Sequence, residues 1–241
     1  MKMQKRVFPD IDALSLAALD EVVRITNQAV ASHGRCAISL SGGHTPERMF
    51  ILWAQEKYRA AYPWERVHFF WGDDRYVAHT DPLSNYGVAK TLLFDKLGAN
   101  VPLNIHPMPT EDADPSVAAR AYAAEMRNFF GTDPPEFDVQ LLGLGGEGHT
   151  ASLFPNSPAL DEQEAWVLPV TVPATPPRRL TMTYPVINQA RNTYFLVAGE
   201  SKREIVRAIA AEPDTGVSQY PAARVKPAGT LLWMLDQAAA S

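Results

Sequence analysis

Residues 36–46, CAISLSGGHTP, predict a buried strand that ends in a glycine turn and leads into a helix. The apolar run Cys36–Leu40 is too short for a typical helix and suits a strand covered on both faces. The glycines end this run, and His44 or Thr45 starts a helix that has Pro46 in its first turn. Strand–turn–helix units of this kind build parallel sheets.

The same alternation continues along the rest of the chain. Further strand candidates are residues 67–71, 138–142, 165–170, 180–183 and 193–198, and residues 231–235 form either a last strand or a short helix. Helical patterns cover residues 14–32, 84–97, 116–130 and 201–211, with Ser84 as an N-cap. We therefore predict an α/β fold with a mostly parallel sheet flanked by helices, in a single domain over residues 1–241.

The composition limits the possible partners and the cellular compartment. The chain has 241 residues, 46% of them hydrophobic, and a net charge of −5 without long basic runs, so we expect no nucleic-acid partner. No apolar stretch approaches a membrane span or a signal peptide, so we expect no membrane partner and a cytoplasmic location. The single cysteine, Cys36, excludes an internal disulfide and is expected in the core.

Polar, glycine-containing loops follow four of the predicted strands. They read SGGHT, GDDR, GLGGEGH and GESKR. Because ligands of open α/β sheets bind beyond the carboxyl ends of the strands, we expect these loops to converge on one pocket. In the first loop, the backbone N–H groups of a helix start would attract a phosphate; the alternative is an ordinary turn that binds nothing.

Charged side chains in two of these loops suit an anionic ligand. Asp73 and Asp74 precede Arg75, whose planar guanidinium pairs with phosphate or carboxylate groups. The alternative is a solvated loop that contains an arginine–aspartate pair. Lys202 falls in the first turn of a predicted helix, where its charge opposes the helix dipole unless an anion shares the site. The alternative is that Lys202 is an ordinary solvated lysine.

His149 is the histidine whose context best fits acid–base chemistry. It ends a glycine-rich loop and has Glu147 two residues before it. Histidine exchanges a proton near neutral pH and therefore suits general-base catalysis. The alternative is a histidine that caps a helix or bonds to the backbone.

The glycines beside His149 also match a dinucleotide-binding pattern. Gly143, Gly145 and Gly148 spell G-x-G-x-x-G, which requires a continuing helix and an acid at the end of the next strand. Pro155 and Pro158 interrupt such a helix, and the next strand candidate leads into TVPATPP, which has no acid. We therefore expect no dinucleotide site.

The motifs of these loops resemble those of the 6-phosphogluconolactonases, which share a family with the glucosamine-6-phosphate isomerases/deaminases. In chain order the motifs are SGGHTP, WGDDRYV with DPLSNYG, GLGGEGHTASLFP and VAGESKR. The resemblance implies a modified Rossmann-like fold and hydrolysis of 6-phospho-D-glucono-1,5-lactone to 6-phospho-D-gluconate in the oxidative pentose phosphate pathway. It implies no metal or organic cofactor. His44, Asp74 and Glu147 stand where serine, glutamate and aspartate are common in the family.

On this resemblance we assign roles to individual residues as a hypothesis. His149 is the general base, supported by Asp73 or Glu147, with Asp74 as a third possibility. The expected phosphate contacts are Ser41, Gly42, Gly43, His44, Thr45, Arg75, Lys202 and, more weakly, Arg179. Backbone N–H groups of Gly145, Gly146 and Gly148 are the expected oxyanion donors. The expected partner is a small sugar-phosphate lactone, bound by a monomer or weak homodimer.

Two other functions stay open at this stage. An aminosugar-phosphate isomerase/deaminase is less favoured, because that branch of the family has a catalytic glutamate where this chain has Phe154. A sugar-phosphate sensor without catalysis would bind the product but not turn over the lactone.

Overall fold

The computed structural model describes residues 3–99, 101–131, 133–212 and 218–241. Its strands are β1 (Lys5–Phe8), β2 (Cys36–Leu40), β3 (Val67–Trp71), β4 (Asp73–Arg75), β5 (Asn104–Ile105), β6 (Val139–Leu142), β7 (Val167–Thr171), β8 (Arg178–Met182), β9 (Asn192–Val197) and β10 (Thr230–Asp236). Its α-helices are α1 (Ile11–His33), α2 (His44–Trp53), α3 (Glu56–Arg59), α4 (Asn85–Leu92), α5 (Pro115–Phe130), α6 (Tyr184–Ile187), α7 (Arg203–Ala211) and α8 (Gln237–Ala240).

Seven of the described strands form a parallel sheet in the order β1-β10-β9-β6-β2-β3-β5. From β2 the chain proceeds to β3 on one side, and it later returns to β6 on the other side. The strand order therefore reverses between β2 and β6, which is the point at which open α/β sheets bind ligands. This topology confirms the predicted α/β fold with a mostly parallel sheet flanked by helices.

Burial explains why the central strands read as continuous apolar runs. All five residues of β2 and all four of β6 are buried, as expected for strands covered on both faces. Tryptophan and phenylalanine side chains pack beside them, and the Trp53 ring lies 5.7 Å from that of Phe69. Cys36 is fully buried, as the sequence predicts. No helix in the described ranges is long and apolar enough to span a membrane.

The stretch GDDR is the main correction to the predicted elements. The sequence predicts a loop, but Asp73–Arg75 forms β4, which pairs with β8 in a separate antiparallel sheet of order β4-β8-β7. Three polar residues carry no hydrophobic alternation, so this strand depends on a partner about a hundred residues away in the chain. Residues 230–236 resolve the other ambiguity as a strand, because they pair with both β1 and β9.

Two histidines interact at the β5 edge of the main sheet, His68 on β3 and His106 directly after β5. His68 Nδ1 lies 3.0 Å from His106 Nε2, and His106 Nδ1 lies 2.6 Å from Glu125 Oε1. The ring of Phe70 stacks on His106 with centroids 4.2 Å apart and planes 6° from parallel. Burial is the main cause that lowers the pKa of His68 to about 4, and the neighbouring His106 and Arg35 act in the same direction.

We predict that His68→Asn flattens the pH dependence of stability between pH 4 and 6.5. Over this interval the unfolded chain protonates His68 and the folded chain does not, so the wild type loses stability as the pH falls. Asparagine keeps a polar group near the Nδ1 position but does not titrate. Urea unfolding across this range is the measurement, and an unchanged slope would contradict the assignment.

Candidate active site

The four predicted loops meet at one cavity of about 360 Å³ at the carboxyl ends of β2, β6 and β9. Its lining includes most of the predicted site residues: Ser41, Gly42, Gly43, His44, Thr45, Asp73, Arg75, Gly145, His149, Arg179 and Lys202. Glu147, Gly146 and Gly148 are absent from that lining. The predicted convergence of the loops is therefore confirmed for the residues that line the cavity.

The first loop presents the start of α2 to the cavity. Gly43 precedes this helix with φ at 107°, in the region that favours glycine, and no side chain caps the helix start. Its first N–H groups and the buried Thr45 are thus available to an anion. The His44 side chain is 97% exposed and approaches Glu47, so its contact with a phosphate stays a prediction. Ser41 Oγ donates to the Gly42 carbonyl.

Asp74 serves the fold and not the imidazole. One carboxylate oxygen accepts hydrogen bonds from the N–H groups of Arg75 and Asn85, and the other accepts from Tyr86 N–H and Ser84 Oγ. Ser84 also caps α4 as predicted, since its hydroxyl accepts from Gly87 N–H. Burial raises the pKa of Asp74 to about 6, against the effect of these backbone donors. Asp74 therefore holds the start of α4 and is removed from the candidates that support His149.

Asp73 is buried at the cavity wall and fixed by two residues. Ser152 Oγ donates to its carboxylate at 2.6 Å, and Asn85 Nδ2 donates to its backbone carbonyl at 2.9 Å. Asn85 itself packs tightly on the first loop, because a Cβ on Gly42 would lie 1.9 Å from Asn85 Oδ1. Thus Gly42 has no room for a side chain. Sequence reasoning assigned no role to Asn85 or Ser152, although both lie within the quoted motifs DPLSNYG and GLGGEGHTASLFP.

Three cations border the cavity without a carboxylate partner among the described residues. Arg75 and Arg179 lie opposite each other in the β4–β8 pairing. Arg75 donates one N–H group to the Leu83 carbonyl, and Arg179 donates one to the Pro176 carbonyl. Arg179 is only 7% exposed, and burial lowers its pKa. Lys202 completes the set from the fourth loop. Like charges opposite one another destabilise a sheet, so this arrangement favours an anion in the cavity.

His149 exposes only one of its ring nitrogens. Nδ1 is buried; Glu147 Oε2 lies 3.1 Å from it, but the contact lacks the alignment of a hydrogen bond. Nε2 is thus the nitrogen that remains for a ligand. Burial lowers the pKa of His149, while Glu147 and Asp73 raise it and Lys202 lowers it. Of the three acids considered, Glu147 touches the imidazole and Asp73 acts on it through its charge.

The glycines of this loop have a different purpose from the predicted one. Gly145 N–H donates to the His149 carbonyl, and Gly148 N–H donates to the Gly145 carbonyl. In this structure the N–H groups of Gly145 and Gly148 are therefore engaged within the loop, and the oxyanion role of Gly146 stays a prediction. Instead, a Cβ on Gly145 would lie 2.0 Å from His149 Nδ1, and one on Gly148 would lie 2.7 Å from the Tyr220 ring. These glycines make room for the imidazole and for a neighbouring segment.

Comparison with known proteins identifies the family of this chain. The family model described as glucosamine-6-phosphate isomerases/6-phosphogluconolactonase matches residues 9–233. The chain belongs to this family. No continuing helix follows its glycine pattern in residues 143–157, so the dinucleotide interpretation is not supported.

Individual members of the family resemble the chain over nearly its full length. A 6-phosphogluconolactonase of Synechocystis sp. is 45% identical over 90% of this chain and 88% of its own. One from Nostoc sp. is 40% identical over 99% and 98%. The solved structure of 6-phosphogluconolactonase from Trypanosoma brucei is 27% identical, has a TM-score of 0.83, and covers 99% of this chain and 98% of its own.

We predict that Glu147→Gln lowers the pKa of His149 further. Glu147 favours the charged imidazole, so its removal leaves burial and Lys202 less opposed. NMR titration of the His149 imidazole measures the shift. Glu47→Gln removes a similar glutamate contact from the exposed His44 and should leave the His149 titration unchanged. A rise in the His149 pKa on Glu147→Gln would contradict the assignment.

Proposed function

We propose that this chain hydrolyses 6-phospho-D-glucono-1,5-lactone to 6-phospho-D-gluconate, as a step of the oxidative pentose phosphate pathway. The observation that carries the proposal is one cavity that combines unpaired cations with a histidine whose Nε2 is accessible. The cations suit the phosphate, and the histidine suits activation of water. The names of the similar proteins support the same substrate.

In this proposal the phosphate binds to the cations and the first loop. Arg75, Arg179 and Lys202 supply charge, and Gly43 and Thr45 supply donors at the start of α2. Charge-assisted hydrogen bonds of this kind are about twice as strong as neutral ones. The lactone ring then extends towards His149, which lines the same cavity.

His149 acts as the general base in the proposed reaction. Nε2 takes a proton from water, and the water oxygen forms a bond to the lactone carbonyl carbon. When the tetrahedral intermediate collapses, the bond from this carbon to the ring oxygen breaks, and the imidazolium returns its proton to that oxygen. The lowered pKa of His149 keeps the imidazole neutral and able to accept the first proton. Asp73 stabilises the transient imidazolium by its charge.

Ser152, the serine of the histidine loop, does not fit the role of a nucleophile. Ser152 is fully buried, and its hydroxyl donates to Asp73. Phe154 also disfavours the isomerase/deaminase alternative, because its side chain cannot transfer a proton. An assay for ammonia released from glucosamine 6-phosphate separates the two branches, and we expect none.

We predict that His149→Gln lowers kcat for the lactone by about 10²- to 10⁴-fold with little change in KM. Glutamine keeps a polar side chain but does not accept the proton from water. Turnover of freshly generated lactone, corrected for spontaneous hydrolysis, is the measurement. His33→Gln, remote from the cavity, serves as the control and should keep wild-type turnover. A near-normal rate for His149→Gln would remove the residue from the base role.

We predict that Lys202→Ala raises KM for the phosphorylated lactone by about 10- to 100-fold, the loss expected for one charge-assisted hydrogen bond. Turnover of the lactone that lacks the phosphate should change little. The neighbouring Arg203 already pairs with Glu200, so Arg203→Ala is a matched control that leaves KM near the wild-type value. An equal loss on both lactones would assign Lys202 a role other than phosphate binding.

A further inference from the structure

The imidazole of His149 lies in a narrow slot formed by its own loop. The ring of Phe154 stacks on it, with centroids 3.9 Å apart and planes 16° from parallel. The backbone of Gly145 closes on the Nδ1 side, where a Cβ would lie only 2.0 Å from the nitrogen. Phe154 is 3% exposed, so its ring is itself held by packing.

The polar contact of this imidazole lies on its Nδ1 side, where Glu147 approaches it. Nδ1 is buried without an aligned acceptor, although Glu147 Oε2 is 3.1 Å away. Rotation about the bond between Cβ and the ring is intrinsically loose in histidine, because this torsion has broad minima. A general base nevertheless needs a fixed direction for its lone pair. Packing on the ring face must therefore add to the restraint that the Glu147 contact supplies at Nδ1.

We infer that Phe154 is a positioning residue for the proposed base: its stacked ring fixes the imidazole plane of His149 and so directs Nε2 into the cavity. This inference rests on the proposed function, because it gives the base of that reaction its geometry. It assigns Phe154 an active structural role beyond the absence of an acid at this position.

A tight turn brings Phe154 back over the histidine. Leu153 N–H donates to the Thr150 carbonyl at 2.9 Å, and Ala151 has φ at 48°, a conformation that is uncommon for alanine. Thr150 Oγ1 donates to the Gly143 carbonyl, which ties the turn to the end of β6. At its tip, Ser152 donates to Asp73. One turn therefore places both the ring against His149 and the donor on Asp73.

The stacked ring also keeps water from one face of the imidazole. Burial is the largest cause of the lowered pKa of His149. The charged groups that act on it are Glu147 and Asp73, which favour protonation, and Lys202, which opposes it. Loss of the ring would let water reach the imidazole and move its pKa up towards 6.5.

The chain contains a comparable pair of stacked rings outside the cavity lining. His106 stacks on Phe70 with centroids 4.2 Å apart, and its Nδ1 contacts Glu125. It therefore has the same combination of stacked phenylalanine and glutamate as His149. None of these three residues lines the cavity. Phe70→Leu consequently measures what the loss of a buried stacked ring does to the protein in general.

The test compares Phe154→Leu, Phe154→Tyr and Phe70→Leu in the full chain. We expect Phe154→Leu to lower kcat by about 10- to 100-fold with KM little changed, since the phosphate contacts are elsewhere. The acid limb of the pH–rate profile should move to higher pH together with the NMR titration of His149. Phe154→Tyr keeps the aromatic face and should keep most of kcat. Phe70→Leu should lower thermal stability but leave kcat and the pH profile unchanged.

Two results would overturn the inference. One is a Phe154→Leu variant with wild-type kcat and an unchanged His149 titration. The other is that Phe70→Leu, at the same loss of stability as Phe154→Leu, lowers kcat by the same factor. If the wild type itself fails to hydrolyse the lactone, the proposed function fails; the imidazole NMR shifts of His149 in Phe154→Leu then still decide whether the ring positions it.

Discussion

A buried carboxylate must be surrounded by hydrogen-bond donors, and two adjacent ones, Asp73 and Asp74, govern how this site is built. Asp74 accepts a hydrogen bond from the backbone at the start of α4, and Asp73 accepts one from Ser152 in the turn of the histidine loop. Because alternate residues of a strand point to opposite sides, one dipeptide gathers elements from both sides of β4. The histidine loop is thereby fixed to the small sheet as well as to β6.

The same constraint links the two sheets. The chain leaves β3 and enters β4 through Gly72 alone, and the Gly72 carbonyl accepts from Met182 N–H of β8. The small sheet thus begins where the main sheet ends, next to the reversal of strand order between β2 and β6. Backbone topology creates the crevice, and the second sheet adds Arg75 and Arg179 to its wall.

Much of this arrangement was predictable from local patterns, and the remainder depended on distant contacts. A few residues of sequence are enough to predict the apolar strands β2 and β3 and the glycine turn before α2. The strand Asp73–Arg75 cannot be recognised from its local sequence, because it is a strand through its pairing with the distant β8. Similarly, the sequence places His149 in a glycine loop. It does not show whether the glycine N–H groups bind a ligand or whether the glycines make room for the imidazole.

The histidine loop illustrates how such a pattern misleads. Gly145 and Gly148 turn their N–H groups towards carbonyls of their own loop, which closes it into a compact unit. The oxyanion assignment assumed that these groups face outward. Only coordinates distinguish the two, since the same letters permit either direction. The cations were named through the resemblance, because the local pattern alone also allowed a solvated Lys202 and an Arg75 paired with an aspartate.

The facing pair Arg75 and Arg179 has a consequence for the empty protein. Fixed opposite each other on neighbouring strands, these side chains repel each other, and the charge of Asp73 offsets this repulsion at Arg179. A phosphate group bound between these side chains would add a counter-charge that the folded chain holds in place and the unfolded chain does not. Under the proposed function, the supply of phosphorylated ligand in the cell adds to the stability of this protein by mass action, so that flux and persistence of the enzyme rise together.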